Sequence, residues 1–245
     1  MQVLPHTQIE KLDLFRPDKR FEAYLCLSTD PWHVLKDRAA EFLHPFEQKR
    51  LNSFSFEKKQ QSFLLGRYCA KQALCAYLKE PHACALFIQN GVFDHPIVHY
   101  TLEHHVQISL SHSDEWGAAI AFPEAHPMAI DVENIHTDKC EAIRTQLLSS
   151  EQKQASCLAC SESTQLTLLW TVKEAMSKTI RTGLMTPFQL FEVETIEMEN
   201  HYYRSTFRHF AQYRALSVLL EGAVCSIICP KQTKLHLSMG RKFHG

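Results

Sequence analysis

Residues 128–133 read Met128-Ala129-Ile130-Asp131-Val132-Glu133, and residues 170–178 read Trp170-Thr171-Val172-Lys173-Glu174-Ala175-Met176-Ser177-Lys178. The first stretch alternates with a period of two, which on a strand sends Ile130 and Val132 to the core. Asp131 and Glu133 then share the opposite face, roughly 7 Å apart along the chain. The second repeats at helical spacing. Leu169, Val172, Met176 and Ile180 form one apolar stripe, while Glu174, Lys178 and Arg181 fall at i, i+4 and i+7 on another face, with Lys173 and Ser177 along its edge. Taken singly, the strand is a half-buried strand with a wet side, and the helix face is a solvated salt-bridge ladder. Taken together, clustered carboxylates repel unless something positive lies between them, and a hard divalent cation meets that need.

Working outward, the helix is expected over about Thr164–Arg181, with Gly183 at its C′ position and Pro187 sealing the end. Thr137 and Ser149 or Ser150 are candidate N-caps for the segments before it. The last sixty residues read as strands over Phe188–Met198, Tyr202–Phe207, Leu216–Leu220 and Ala223–Cys229, before a polar basic tail. Upstream, Phe21–Ser28 is strand-like, Trp32–Leu43 a short helix opened by Pro31, and Phe56–Leu78 a long helix stopped before Pro81. Between Cys84 and Glu133 the apolar runs are short and broken by turn signals: Ala85–Ile88, Asn90-Gly91, Pro96–Leu102, Val106–Ser111 and Trp116–Phe122. The order helix, sheet, helix, sheet thus occurs twice. Phe63-Leu64-Leu65-Gly66-Arg67 and Thr167-Leu168-Leu169-Trp170-Thr171 share a phrase, and Lys71 and Lys173 follow them. The expectation is an α+β fold of two similar subdomains, a pseudo-dimer, each a small antiparallel sheet packed on a long helix. The boundary falls between residues 1–124 and 125–245, and the groove between the halves is the default ligand site.

Composition narrows the function. A chain of 245 residues, 45% hydrophobic, buries a core without a staple. Apolar runs such as Ala118–Phe122 are far shorter than the roughly 20 residues of a membrane span. The mixed Met1–Phe15 segment lacks the apolar stretch of a secretory signal, so a cytoplasmic protein is expected. With 26 Lys and Arg against 27 Asp and Glu, no broad field favours nucleic acid or membrane. Seven glycines, none closer than five positions to the next, leave no room for a Walker loop or a dinucleotide fingerprint. The nine cysteines are odd in number and scattered, which suits reduced thiols, and Cys157-x-x-Cys160 reads as helix packing rather than zinc.

A third element is Ile108-Ser109-Leu110-Ser111-His112-Ser113, a strand ending in hydroxyl and imidazole donors that an anion could use. Together Ser-Leu-Ser-His-Ser, Ala-Ile-Asp-Val-Glu and Trp-Thr-Val-Lys-Glu-Ala-Met-Ser-Lys closely resemble, in order and separation, the three signature segments of the 4′-phosphopantetheinyl transferases. The match is to the long, surfactin-synthetase-activating type, and it runs from about Glu47 to Leu184. The resemblance implies an enzyme that moves the phosphopantetheine arm of coenzyme A onto a serine of an apo acyl or peptidyl carrier protein, releasing adenosine 3′,5′-bisphosphate. It further implies that Asp131, Glu133 and Glu174 hold Mg²⁺ against the pyrophosphate, Mn²⁺ being an alternative because oxygen ligands suit both. Glu174 is then the candidate general base, and Lys178, with Lys173 beside it, the phosphate-neutralising cation. His112 would contact the 3′-phosphate, with Ser111 and Ser113 lining that pocket.

In the first half, Arg50, Arg67 and Lys71 correspond to basic residues that reach nucleotide phosphates in such enzymes, against the alternative of a solvated basic helix face. Three positions depart from the family pattern. Asp94-His95-Pro96 stands where Gly-Lys-Pro is common, Ser62 where some members carry arginine, and Ala129 where glycine is usual. Two rival readings follow from the same residues: a metal-dependent phosphodiesterase, and a non-catalytic homologue that binds coenzyme A or a carrier protein. A chain carrying both halves is expected to act as a monomer.

Overall fold

Alternating burial along Lys11–Phe15, with Leu12 and Leu14 inside, marks the second half of the first strand, β1 (Thr7–Phe15), in the computed structural model, which describes residues 3–4, 6–100 and 105–238. It pairs antiparallel with β2 (Arg20–Ser28). Four helices follow: α1 (Trp32–Asp37), α2 (Ala39–Phe42), α3 (Pro45–Ser53) and the long α4 (Glu57–Leu78). Strands β3 (Phe87–Asn90) and β4 (Pro96–His99) form a separate ribbon. The hairpin β5 (Val106–His112) and β6 (Gly117–Pro123) completes a first sheet in the order β1-β2-β6-β5.

The second half opens with β7 (Ala129–Asn134) and continues through α5 (Cys140–Thr145), α6 (Ser149–Ala155) and α7 (Glu162–Thr179). It ends in β8 (Val193–Glu199), β9 (Tyr202–Phe207), β10 (Tyr213–Leu220) and β11 (Ala223–Pro230). The second sheet has the order β7-β11-β10-β9-β8.

Three apolar layers hold the elements. Leu12, Leu25 and Ile120 of the first sheet meet Ile130, Val218 and Ile227 of the second. Leu64, Tyr68 and Leu74 of α4 cover the other side of the first sheet at Cys26, Ile108 and Ala119. Leu168, Val172 and Met176 of α7 cover the second at Ala215, Val224 and Ile228. The stack is therefore helix, sheet, sheet, helix, and each fully buried leucine contributes about 2 kcal/mol.

The halves repeat one plan. The strands β2-β6-β5 with α4 have the same neighbours as β7-β11-β10 with α7. Each half also carries the same buried ion pair. Glu47 accepts from the backbone N–H of His44 at 2.9 Å and of Ile88 at 3.1 Å, and from the Lys71 ammonium at 2.7 Å. Glu151 accepts from Leu148 N–H at 2.8 Å, Val193 N–H at 2.9 Å and the Lys173 ammonium at 2.6 Å. Each glutamate thus caps a short helix, anchors the strand after the long helix, and neutralises a lysine of that helix. The lysines set the correspondence between the helices two positions away from the shared leucine phrase.

Several sequence expectations are corrected. Strand β1 falls in a segment read only for targeting signals, because Lys11 and Asp13 on its outer face, with Glu10 on the face of Leu12 and Leu14, disguise the alternation. The helix expected over Trp32–Leu43 breaks at Arg38. Thr137 and Ser149 cap nothing: α5 and α6 start from Lys139 and Leu148, and Ser161, accepting from Thr164 N–H at 3.3 Å, caps α7. Residues Phe188–Phe191 form a short 3₁₀ turn, so only the end of the expected Phe188–Met198 strand is a strand. Leu102, at the end of the run begun by Pro96, lies outside the described residues. Gly183 is not the C′ residue of α7. That place belongs to Arg181, whose N–H bonds the Lys178 carbonyl while Thr182 N–H bonds that of Ser177, with Arg181 at φ +60°.

Candidate active site at the seam of the two sheets

Strands β5 and β7 are edges of their sheets and lie side by side. Alternate serines of β5 join them. Ile130 N–H donates to Ser109 Oγ at 3.1 Å, and Ser111 Oγ donates to Asp131 Oδ1 at 2.7 Å. Helix α7 closes the seam from behind. The Lys178 ammonium donates to Asp131 Oδ1 at 2.6 Å and to the carbonyls of Leu110 and Ile130 at 3.4 Å each. The face of β7 opposite the inter-sheet core is therefore not wet, and Asp131 is only 2% exposed. Its second oxygen, Oδ2, is buried without a hydrogen-bond partner.

Beside this seam lies a cavity of about 640 Å³, walled by Arg67, His95, His112, Glu174, Lys178 and Arg181 among others. That volume suits a cofactor-sized ligand. Helix α4 approaches β5 closely at Gly66, where a Cβ would sit 3.3 Å from both the His112 ring and the Leu110 side chain. Arg67 stacks on Phe63 at 5.0 Å, donates to Asn90 Oδ1 at 2.7 Å, and has Nε 3.4 Å from Glu47. Burial pulls its pKa down to about 10. Burial, then the charge of Lys178, holds His112 below the ordinary histidine value. Burial, then the neighbouring Asp131, pushes Glu174 up to about 7, and the same two causes push Glu133 up to about 7, with Glu174 adding to them. Two carboxyls raised to about 7 beside a third acidic side chain are a site short of positive charge.

The placement of the expected residues is uneven. Asp131, Glu174, Lys178, Ser111, His112 and Arg67 come together around the seam. Glu133 turns toward a neighbouring depression of about 450 Å³ shared with Lys139 and Trp170. Among the described residues, no three His, Cys, Asp or Glu side chains stand as a metal-ligating group in this arrangement, and the cation next to Asp131 is Lys178. In donor chemistry the set still fits a hard cation: three carboxyl groups, one with an orphaned buried oxygen.

Lys71 and Lys173 are both fully buried in their pairs with Glu47 and Glu151. Neither lines the cavity. Lys71 also donates to the carbonyls of Ala83 and Leu86. Arg50 sits exposed in the last turn of α3, off the cavity wall. Sequence reasoning missed Ser109 as a strand-joining side chain, and Glu47 and Glu151 as partners of the lysines. The only signal for the glutamates was their position three residues past a helix N-cap.

Residues 127–228 match the sequence family described as the 4′-phosphopantetheinyl transferase superfamily. The chain is 25% identical over 169 residues to "4′-phosphopantetheinyl transferase gsp" of Aneurinibacillus migulanus, covering 63% of this chain and 68% of that one. A solved holo-(acyl-carrier-protein) synthase from Bacillus anthracis, in complex with CoA (3′,5′-ADP), is 22% identical over 46% of this chain and 92% of its own, with a TM-score of 0.35. The holo-ACP-synthase of Plasmodium yoelii is 16% identical over 46% of this chain and 91% of its own, with a TM-score of 0.33.

Proposed function

We propose that this chain is a member of the 4′-phosphopantetheinyl transferase superfamily, the family its residues 127–228 match, and that it transfers the phosphopantetheine arm of coenzyme A to the serine hydroxyl of an apo acyl or peptidyl carrier protein. The observation that carries this reading is the gathering of Glu174, Lys178, His112 and Arg67 at one cavity between the halves, with buried Asp131 bound to Lys178. In the reaction the serine oxygen bonds to the phosphorus that bears pantetheine. The phosphoanhydride bond to the nucleotide breaks, and adenosine 3′,5′-bisphosphate leaves with the electron pair.

Glu174, on the cavity wall, accepts the serine proton. Lys178 neutralises the oxygens on which charge builds as the anhydride breaks. Arg67, fixed by Asn90 and Glu47, and His112, held against α4 at Gly66, receive the nucleotide phosphates. Asp131, Glu133 and Glu174 would hold a divalent ion, Mg²⁺ or Mn²⁺, which when bound supplies positive charge to the pyrophosphate. The lobe boundary of the proposal lies in the link between Pro123 and Ala129.

The test mixes the purified protein with coenzyme A, Mg²⁺ and an apo carrier protein and then weighs the carrier. A gain of the phosphopantetheine mass is expected. An unchanged carrier overturns the transfer reading, and tight coenzyme A binding beside it would point to the non-catalytic homologue, the alternative that the departures at Ser62 and His95 leave standing.

A further inference from the structure

Arg181 occupies a backbone position that an arginine should avoid. It is the C′ residue of α7 at φ +60°, where an L side chain crowds the following carbonyl and glycine is the usual occupant. Its guanidinium lies on the cavity wall, tied on one side to Gln107 Oε1 of β5 at 3.1 Å. Lys79 also ends its helix, α4, in the left-handed conformation, with φ 55°, but it stands off the cavity wall. Arg181 differs in facing the cavity that holds Glu174, Lys178 and His112.

Across the same wall stands the strained loop Gly91–His95, with Phe93 at φ 54° and Asp94 at φ 58°. The carboxyl of Asp94 is taken up by Asn90 at 3.0 Å, and Asn90 in turn accepts from Arg67. His95 is half-buried there. Its own burial and the charge of Arg181 hold it below the ordinary histidine value, so at neutral pH it carries little charge. The β3–β4 loop therefore brings no fixed cation to its side of the cavity; of the cations beside it, Arg67 is already bound to Asn90, and Arg181 is delivered from the opposite half of the chain.

We propose that Arg181 is a phosphate-binding residue that supplies, from the end of α7, the positive charge that His95 does not. The inference rests on the coenzyme A reading above. An arginine fork suits a phosphate because it offers paired N–H donors. The phosphate is one of coenzyme A's, either the 3′-phosphate or the pyrophosphate.

The experiment measures the Kd of coenzyme A and of 3′-dephospho-coenzyme A by calorimetry, together with Tm, for the parent protein, Arg181→Gly and Arg181→Asn. Both replacements tolerate the left-handed backbone, so Tm should hold or rise. The Kd of coenzyme A should weaken about tenfold in both, in line with the loss of a charge-assisted hydrogen bond. If the weakening disappears with the dephospho compound, Arg181 reads the 3′-phosphate; if it persists, it reads the pyrophosphate. His95→Lys in the Arg181→Gly background should restore most of the lost affinity, and failure to do so would overturn the assigned exchange of roles. Parent-like affinity in both single variants, with carrier transfer intact, overturns this inference alone. A parent protein that binds no coenzyme A overturns it together with the reading on which it rests.

Discussion

Replacing Lys173 with methionine separates the two roles that its sequence position allows. The lysine adjoins Glu174 in a segment that suggests phosphate contact, yet its ammonium is enclosed with both oxygens of Glu151, at 2.6 and 2.7 Å. Methionine keeps the length and packing of the side chain and removes only the charge. Glu151 would keep the N–H groups of Leu148 and Val193, but its carboxylate would lose its cation in a fully buried place. Removing one partner of such a pair costs about 3–5 kcal/mol, which in a domain of this size lowers Tm by about 6–20 °C. A second variant, Lys173→Met with Glu151→Gln, removes the stranded charge while the amide oxygen can still accept a backbone N–H. It should recover part of the loss, a non-additivity that marks a direct pair. Thermal unfolding by circular dichroism gives the stability, and calorimetry well below Tm gives the affinity for coenzyme A. The expected result is a large fall in Tm with an unchanged Kd. A Tm within about 2 °C of the parent, with coenzyme A bound more than tenfold more weakly, would refute the structural assignment and return Lys173 to the phosphates.

Glu174→Gln should abolish carrier modification and leave the fold intact; near-normal turnover would remove Glu174 from the chemistry. The same variant carries a pH signature. In the folded protein the carboxyl of Glu174 titrates at about 7, against an ordinary value of 4.5, so the folded state holds its proton more tightly and the parent loses stability as pH rises from 4.5 through 7. Glu174→Gln should therefore match the parent near pH 5 and exceed it at pH 8 by up to about 3 kcal/mol, and a gap that does not grow with pH sinks that account. Mg²⁺ should raise the Tm of the parent at pH 8 by several degrees and do so far less near pH 5, where Glu133 and Glu174 are protonated; equal shifts at both would argue against Asp131, Glu133 and Glu174 as its ligands. Lys178→Ala should lower kcat more than it weakens coenzyme A binding, because its charge matters most as the anhydride breaks, and equal losses in both would make it an anchor.

The strand Ala129–Asn134 and the long helix behind it were legible because their periods are local. Each residue's face follows from its neighbours two or four positions away, and the alternation of Ile130 and Val132 with Asp131 and Glu133 survives in the structure. The phrases around Ser111, Asp131 and Glu174 likewise point to one chemistry before any coordinate is known. Strand β1 was illegible because Glu10, Lys11 and Asp13 put charges on both of its faces, and the C′ residue of α7 because the sequence offers a nearer favourite in Gly183.

Sequence alone settled the residue types that meet at the cavity and the repeated α+β plan, since both depend on patterns within short windows. Tertiary packing decided which charges are used where. Whether Lys71 and Lys173 reach a ligand turns on Glu47 and Glu151, each more than twenty residues away along the chain, and no local period encodes such a pairing. Desolvation works the same way. A lysine placed under a helix and a strand must find a carboxylate or lose its charge, whereas Lys178, paired with Asp131, and Arg181, at the same helix end, lie at the seam and line the cavity.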